Sequence, residues 1–230
     1  MIAFINQRTI LSFLVSLVFW ALLTGSLLLA ASMLLLLFVH ETGHYLAARR
    51  RNMEVTPPVF TPLGAVISIG ASRSAEDEAY MAIAGPLVGG FASITTVLIA
   101  FYFHSPTLML AGFWGALINL FNMIPLSPLD GGRISMVLSR HAWVVGAPLL
   151  FLSFSFFGFN PINILVFVII VLAALADVRH RSLQFDSDPS YFQVPVRVRI
   201  SYLAAYLALA TVLLAVLVSV PSLAALLETG

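Results

Sequence analysis

The chain has 230 residues, 60% of them hydrophobic and 9% charged, with no cysteine and a formal net charge of +1. Ordinary globular domains carry about 45–50% apolar and about 25% charged residues, so this composition excludes a typical soluble domain, and the small net charge argues against a nucleic-acid partner. Without thiols, any metal has to be held by His, Asp or Glu.

Apolar runs fall at residues 9–24, 27–48, 79–103, 107–125, 142–157, 161–177 and 199–219, and several reach the length of about 20 residues that a bilayer-spanning helix needs. The expected fold is therefore an all-α polytopic membrane protein of about six to seven transmembrane helices. Polar residues ending at Arg8, followed by apolar ones, look like the start of a secretory signal. The apolar stretch runs far past a signal core, however, and is read as mature structure. Gly25 is a weak divider, so the first two runs form either a hairpin or one long tilted helix. Asn160-Pro161 makes a tight turn between the fifth and sixth runs.

Two connections do not read as spans. Residues 52–78 hold Thr56-Pro57-Pro58 and then Phe60-Thr61-Pro62-Leu63-Gly64-Ala65-Val66-Ile67, apolar and β-prone but broken by Gly and Pro. Non-helical backbone at membrane depth survives only inside protein or beside a water-filled cavity. The segment thus reads as a short re-entrant β-like piece beside the candidate site, or else as an ordinary interfacial loop. As a re-entrant piece it makes Gly64, Ala65, Val66 and Ile67 candidate substrate-binding residues. Residues 181–198, with Asp186, Asp188 and two prolines, read as a linker, which divides the chain into a membrane core (1–180), the linker (181–198) and a C-terminal span (199–230).

Cytoplasmic loops are enriched in basic residues. If the N-terminus is cytoplasmic and all seven runs span, every basic residue from Arg8 to Arg199 falls on the cytoplasmic side. That segregation supports both the count and the orientation, with the candidate site facing the cytoplasm.

His40-Glu41-Thr42-Gly43-His44 is an H-E-x-x-H at the cytoplasmic end of the second run. On a helix, positions i and i+4 share a face one turn apart, so both imidazoles can bind one metal while Glu41 stands beside it as general base. Ionisable residues inside a span are costly and mark function. A catalytic zinc takes three protein ligands and one water. Nothing suitable follows closely, since Glu54 lies beyond a triple arginine. The candidate third ligand is Asp130, in Asn122-Met123-Ile124-Pro125-Leu126-Ser127-Pro128-Leu129-Asp130-Gly131-Gly132-Arg133, where prolines break the helix and glycines let the backbone turn. Alone, Asp130-Gly131-Gly132 would equally serve as a turn ending a span.

An H-E-x-x-H on one span with an N-x-x-P-x-x-x-L-D-G on a later one resembles the site-2 proteases, zinc metalloproteases that cut substrates within or near their membrane spans. Ala84-Gly85-Pro86-Leu87 is similar to a Gly-Pro step common in that family, and the resemblance covers roughly residues 27–178. It implies one Zn2+ per chain held by His40, His44 and Asp130, with Glu41 as the catalytic base. It also implies Asn122 as an active-site polar group, although a helix-end amide bonded to nearby carbonyls would account for Asn122 as well. The implied partners are the lipid bilayer and a single-span or signal-peptide-like membrane substrate.

Two other functions fit less well. A metal transporter would need further ligands along a path, and the outer half of the spans holds almost none. A scaffold would not need Glu41. His104, His141 and His180 read as solvated interface residues, and Glu76, Asp77 and Glu78 as an acidic cluster at a helix N-terminus.

Overall fold

A computed structural model of the chain describes residues 5–61, 64–157 and 161–229. Pro62 and Leu63 of the expected re-entrant piece, and Asn160 of the expected turn, lie outside the described residues. Each of the seven apolar runs is helical: α1 (Gln7–Thr24), α2 (Leu27–Arg50), α3 (Ala75–Tyr102), α4 (Pro106–Asn122), α6 (Trp143–Phe157), α7 (Pro161–Ser187) and α8 (Val196–Thr229). A short helix α5 (Asp130–Ser135) and two strands, β1 (Val59–Thr61) and β2 (Gly64–Val66), are the other elements among the described residues, with one 3-10 turn at Pro189–Phe192. Among the described residues, five helices are long and apolar enough to cross a membrane, in α1, α2, α3, α7 and α8. Helices α4 and α6, at 17 and 15 residues, fall short of the length of about 20 residues that a perpendicular crossing takes. Leucines and valines along α1, such as Leu22 at 80% exposure, face outward, as an apolar solvent allows.

The chain divides into two compact units. The first comprises Met1–Ala71, Ala84–Leu120 and Leu209–Gly230. In it, α1 and α2 are separate, packed helices. Gly25 ends α1 in the left-handed region (φ 69°), and Ser26 caps α2 by accepting the Leu29 N–H, which resolves the first two runs into a hairpin. The segment after α2 doubles back as an antiparallel pair with register Val59↔Val66, Phe60↔Ala65 and Thr61↔Gly64. The pairing is prolonged by Thr56 N–H to Ser68 O and by Gly70 N–H to Glu54 O. Phe60 is buried and pins this hairpin, its ring edge-on to Phe13 at 5.1 Å and stacked on Phe38 at 6.2 Å. Its backbone N–H donates to the Ser12 hydroxyl of α1 at 3.1 Å.

The second unit comprises Ser72–Ile83 and Phe121–Ala208. Leu126 and Leu129 pack with Leu150 and Phe154 of α6 and with Ile170 and Ala174 of α7. Residues 181–187, expected in the linker, continue α7 instead, because a buried ion cluster holds that end of the helix. Glu78 accepts a two-pronged pair of bonds from Arg181 at 2.8 and 2.9 Å, one from Arg133 at 3.2 Å, and one from the Tyr191 hydroxyl at 2.7 Å. Glu78 therefore does more than complement a helix end, as the sequence alone suggested. It draws together α3, α5, α7 and the 3-10 turn. Burial, reinforced by the Glu78 carboxylate, holds the Tyr191 phenol above its ordinary pKa, so it remains a donor at neutral pH. The Arg199 guanidinium donates to the carbonyls of Val194 and Leu138, and the Tyr206 hydroxyl donates to that of Met123.

Removing one partner of a buried ionic cluster strands the remaining charges, at a typical cost of about 3–5 kcal/mol. Glu78→Ala should therefore lower stability by about 3 kcal/mol, seen as an earlier thermal unfolding midpoint in detergent. Tyr191→Phe, which leaves the ion pairs intact, should lower it by less. A Glu78→Ala variant that melts with the parent would show that the cluster does not hold the unit together.

Candidate metal centre

Helix α2 buries one stripe along its length, and near its C-terminal end that stripe includes His40, Glu41, Gly43 and His44. The two histidines, one turn apart, are 3% and 5% exposed. Their rings stand nearly perpendicular, at 80° with centroids 4.7 Å apart, and the Nε2 atoms approach to 3.0 Å. Two imidazole lone pairs at that distance repel unless a proton or a cation lies between them. In an apolar surround, a metal ion satisfies both.

The other nitrogen of His40 is also committed. Its Nδ1 lies 2.8 Å from Asn119 Oδ1, and the same amide donates through Nδ2 to the Gly115 carbonyl of α4 at 2.7 Å. Metal-bound histidines almost always donate their second N–H to such an outer acceptor. Sequence reasoning missed Asn119. The available signal was an amide within an apolar run, where a polar side chain needs a partner.

Room for this pair comes from α3. A Cβ on Gly85 would stand 2.2 Å from His44 Nε2, and one on Gly43 would stand 2.3 Å from the Ala84 carbonyl. The Gly-Pro step of α3 is thus where the helix gives way to an imidazole, and the second variable position of the H-E-x-x-H is a glycine because α3 runs against it.

Asp130 opens α5 and is buried. The backbone between Asn122 and Asp130 folds tightly, with Leu126 N–H donating to Ile124 O and Leu129 N–H to Leu126 O. A Cβ on Gly131 would lie 2.1 Å from the Met123 carbonyl, so the residue after Asp130 is glycine for want of space. Asn122 ends α4 and is half-buried. His40, His44 and Asp130 are each buried, and each offers a ligand atom of the kind that a metal ion takes. Two imidazoles and a carboxylate are a donor set of the kind that catalytic zinc uses, so the residues present fit that ion.

Residues 28–108 match Peptidase family M50. A zinc metalloprotease of Methanocaldococcus jannaschii is 31% identical over 122 residues, 51% of this chain and 34% of the relative. Stage IV sporulation protein FB of Bacillus subtilis (strain 168) is 28% identical over 121 residues, 51% of this chain and 42% of the relative. The matches thus span between a third and a half of those relatives' length. Among solved structures, the site-2 protease from Methanocaldococcus jannaschii superposes with a TM-score of 0.52 at 24% identity, covering 74% of this chain and 88% of that one, a likeness of fold. The resemblance carried by the two motifs is therefore borne out.

Gly85→Ala should displace His44, lowering zinc affinity by about tenfold or more, on the scale of outer-shell changes, with the helical fold intact. Chelator competition alongside circular dichroism would measure both. Undiminished affinity would mean that the step is not shaped around the imidazole.

Proposed function

We propose that this chain is an intramembrane zinc metalloprotease that hydrolyses peptide bonds within or near the transmembrane segments of membrane-protein substrates. The observation that carries the reading is the paired imidazoles of His40 and His44 with Glu41 beside them, all buried on an apolar helix. The match to Peptidase family M50 and the zinc metalloprotease among the relatives support it. His40, His44 and Asp130 are the proposed ligands. Zinc held there would acidify a bound water and polarise the scissile carbonyl. Glu41 takes the proton of the attacking water and returns it to the leaving amine. Asn122 donates a hydrogen bond to the substrate backbone or to the developing oxyanion.

A transmembrane helix hides its peptide bonds in internal hydrogen bonds, so a substrate has to unwind before it is cut. The hairpin suits that task. Because the Phe60 N–H is spent on Ser12, the Phe60–Ala65 pair is the non-hydrogen-bonded kind, in which ladder groups point away from the partner strand. Ala65, and Ile67 two residues on, then direct their N–H and C=O groups to the far edge of β2, the strand that runs beside α2. We assign Gly64, Ala65, Val66 and Ile67 as an edge to which an extended substrate adds as a strand. The arginine distribution supports a cytoplasmic N-terminus and a cytoplasm-facing site, and the substrate is a single-span or signal-peptide-like protein in the bilayer.

The test is cleavage of a liposome-embedded single-span reporter. Glu41→Gln should keep its zinc and lose about 100- to 10,000-fold in rate, the usual worth of a general base. If it cleaves like the parent, Glu41 is not the base. Ile67→Pro removes an outward-facing donor without touching the hairpin's own ladder. It should cripple cleavage at unchanged zinc content, and full activity would end the strand-addition reading.

A further inference from the structure

We propose that Asn119 is a positioning residue that fixes the tautomer of His40 and thereby holds its Nε2 lone pair ready for the metal. The proposal rests on the zinc reading above and deepens it. A neutral imidazole carries one proton on either nitrogen, and only the nitrogen without it can bind a cation. Which one that is depends on the partner of the other. Here Nδ1 faces Asn119 at 2.8 Å. If the oxygen of the amide faces the ring, Nδ1 must be the donor and Nε2, which faces His44 Nε2 at 3.0 Å, keeps its lone pair. If the amide is turned over, its NH2 faces the ring, Nδ1 must accept, and the proton is driven onto Nε2, where it blocks the metal.

The Gly115 carbonyl decides between these two orientations. It lies 2.7 Å from Asn119 Nδ2, and turning the amide over would set carbonyl oxygen against carbonyl oxygen. The chain of donors thus runs one way, from the amide to the Gly115 carbonyl and from His40 Nδ1–H to the amide oxygen. Asn119 is 2% exposed, so water does not offer the ring an alternative partner. The space is also closed from α3, where a Cβ on Gly89 would stand 2.5 Å from Asn119 Oδ1 and 3.0 Å from His40 Cβ. A helix carbonyl, an amide and the close approach at Gly89 therefore select one tautomer of His40 before any metal arrives.

The experiment uses the full-length, metal-free protein labelled with 15N in its histidine rings, and His40 is assigned by the signal lost in His40→Ala. The parent should show His40 protonated on Nδ1. Asn119→Leu, which matches the amide in shape and offers no acceptor, should lose that single tautomer and bind zinc about 10- to 100-fold more weakly in chelator competition, the range found for outer-shell partners. Asn119→Asp, as the neutral acid that the Gly115 carbonyl requires at that place, donates to this carbonyl and accepts from His40, and should recover both the Nδ1–H signal and most of the affinity. A purely structural role for Asn119 would leave the tautomer of a folded Asn119→Leu protein unchanged, and that result, or undiminished zinc affinity, would overturn the proposal. A parent that takes up no zinc would overturn the reading of the site itself, a separable result because the nitrogen spectrum of the metal-free protein reports the tautomer independently.

Discussion

Two imidazoles whose Nε2 atoms stand 3.0 Å apart inside apolar helices constrain most of what surrounds them. Such a pair is stable only if every ring nitrogen has a partner, because an unmade hydrogen bond in an apolar medium costs more than in water. The amide of Asn119 answers one nitrogen. The close approach at Gly85 gives His44 space to stand beside His40. Hydroxyls elsewhere in these helices follow the same rule: Thr42, Ser93 and Thr96 each donate to a carbonyl one turn back. These hydroxyls are satisfied within their own helices, whereas the buried Ser16 hydroxyl has no such partner.

A second polar cluster solves a different problem. Glu78 gathers Arg133, Arg181 and Tyr191, all buried or partly buried, and the bidentate Arg181 contact is of the stronger, charge-assisted kind. Arg133 closes the motif that carries Asp130, so the short helix bearing that carboxylate is anchored by its own cationic end. Asp130 and the ionic anchor thus share one segment of chain.

The seven helical runs were legible because a bilayer demands long apolar stretches, and His40, Glu41, His44 and Asp130 because their spacing encodes a shared helix face and a turn. The hairpin was legible as a β-prone piece, and its register became clear only when Phe60 was seen wedged between Phe13 and Phe38. What escaped reading were long-range polar partners. Asn119 is an unremarked amide in a hydrophobic run until His40, 79 positions earlier, is folded against it. Glu78 looks like one of three acidic residues at a helix start until Arg181, 103 positions later, reaches it. The continuation of α7 through residues 181–187 was missed for the same reason: polar composition suggested a linker, and an ion pair made the segment helix.

Tyr206, near the start of α8, donates to the carbonyl of Met123, which itself lies against Gly131, next to Asp130. The last helix is thereby stitched to the loop that presents the carboxylate. In a chimaera that borrowed its final helix from a relative, that stitch would be lost unless a hydroxyl stood at the same place. The C-terminal helix is thus tied by a side chain to the segment that bears Asp130, and is more than a length of apolar chain appended to it.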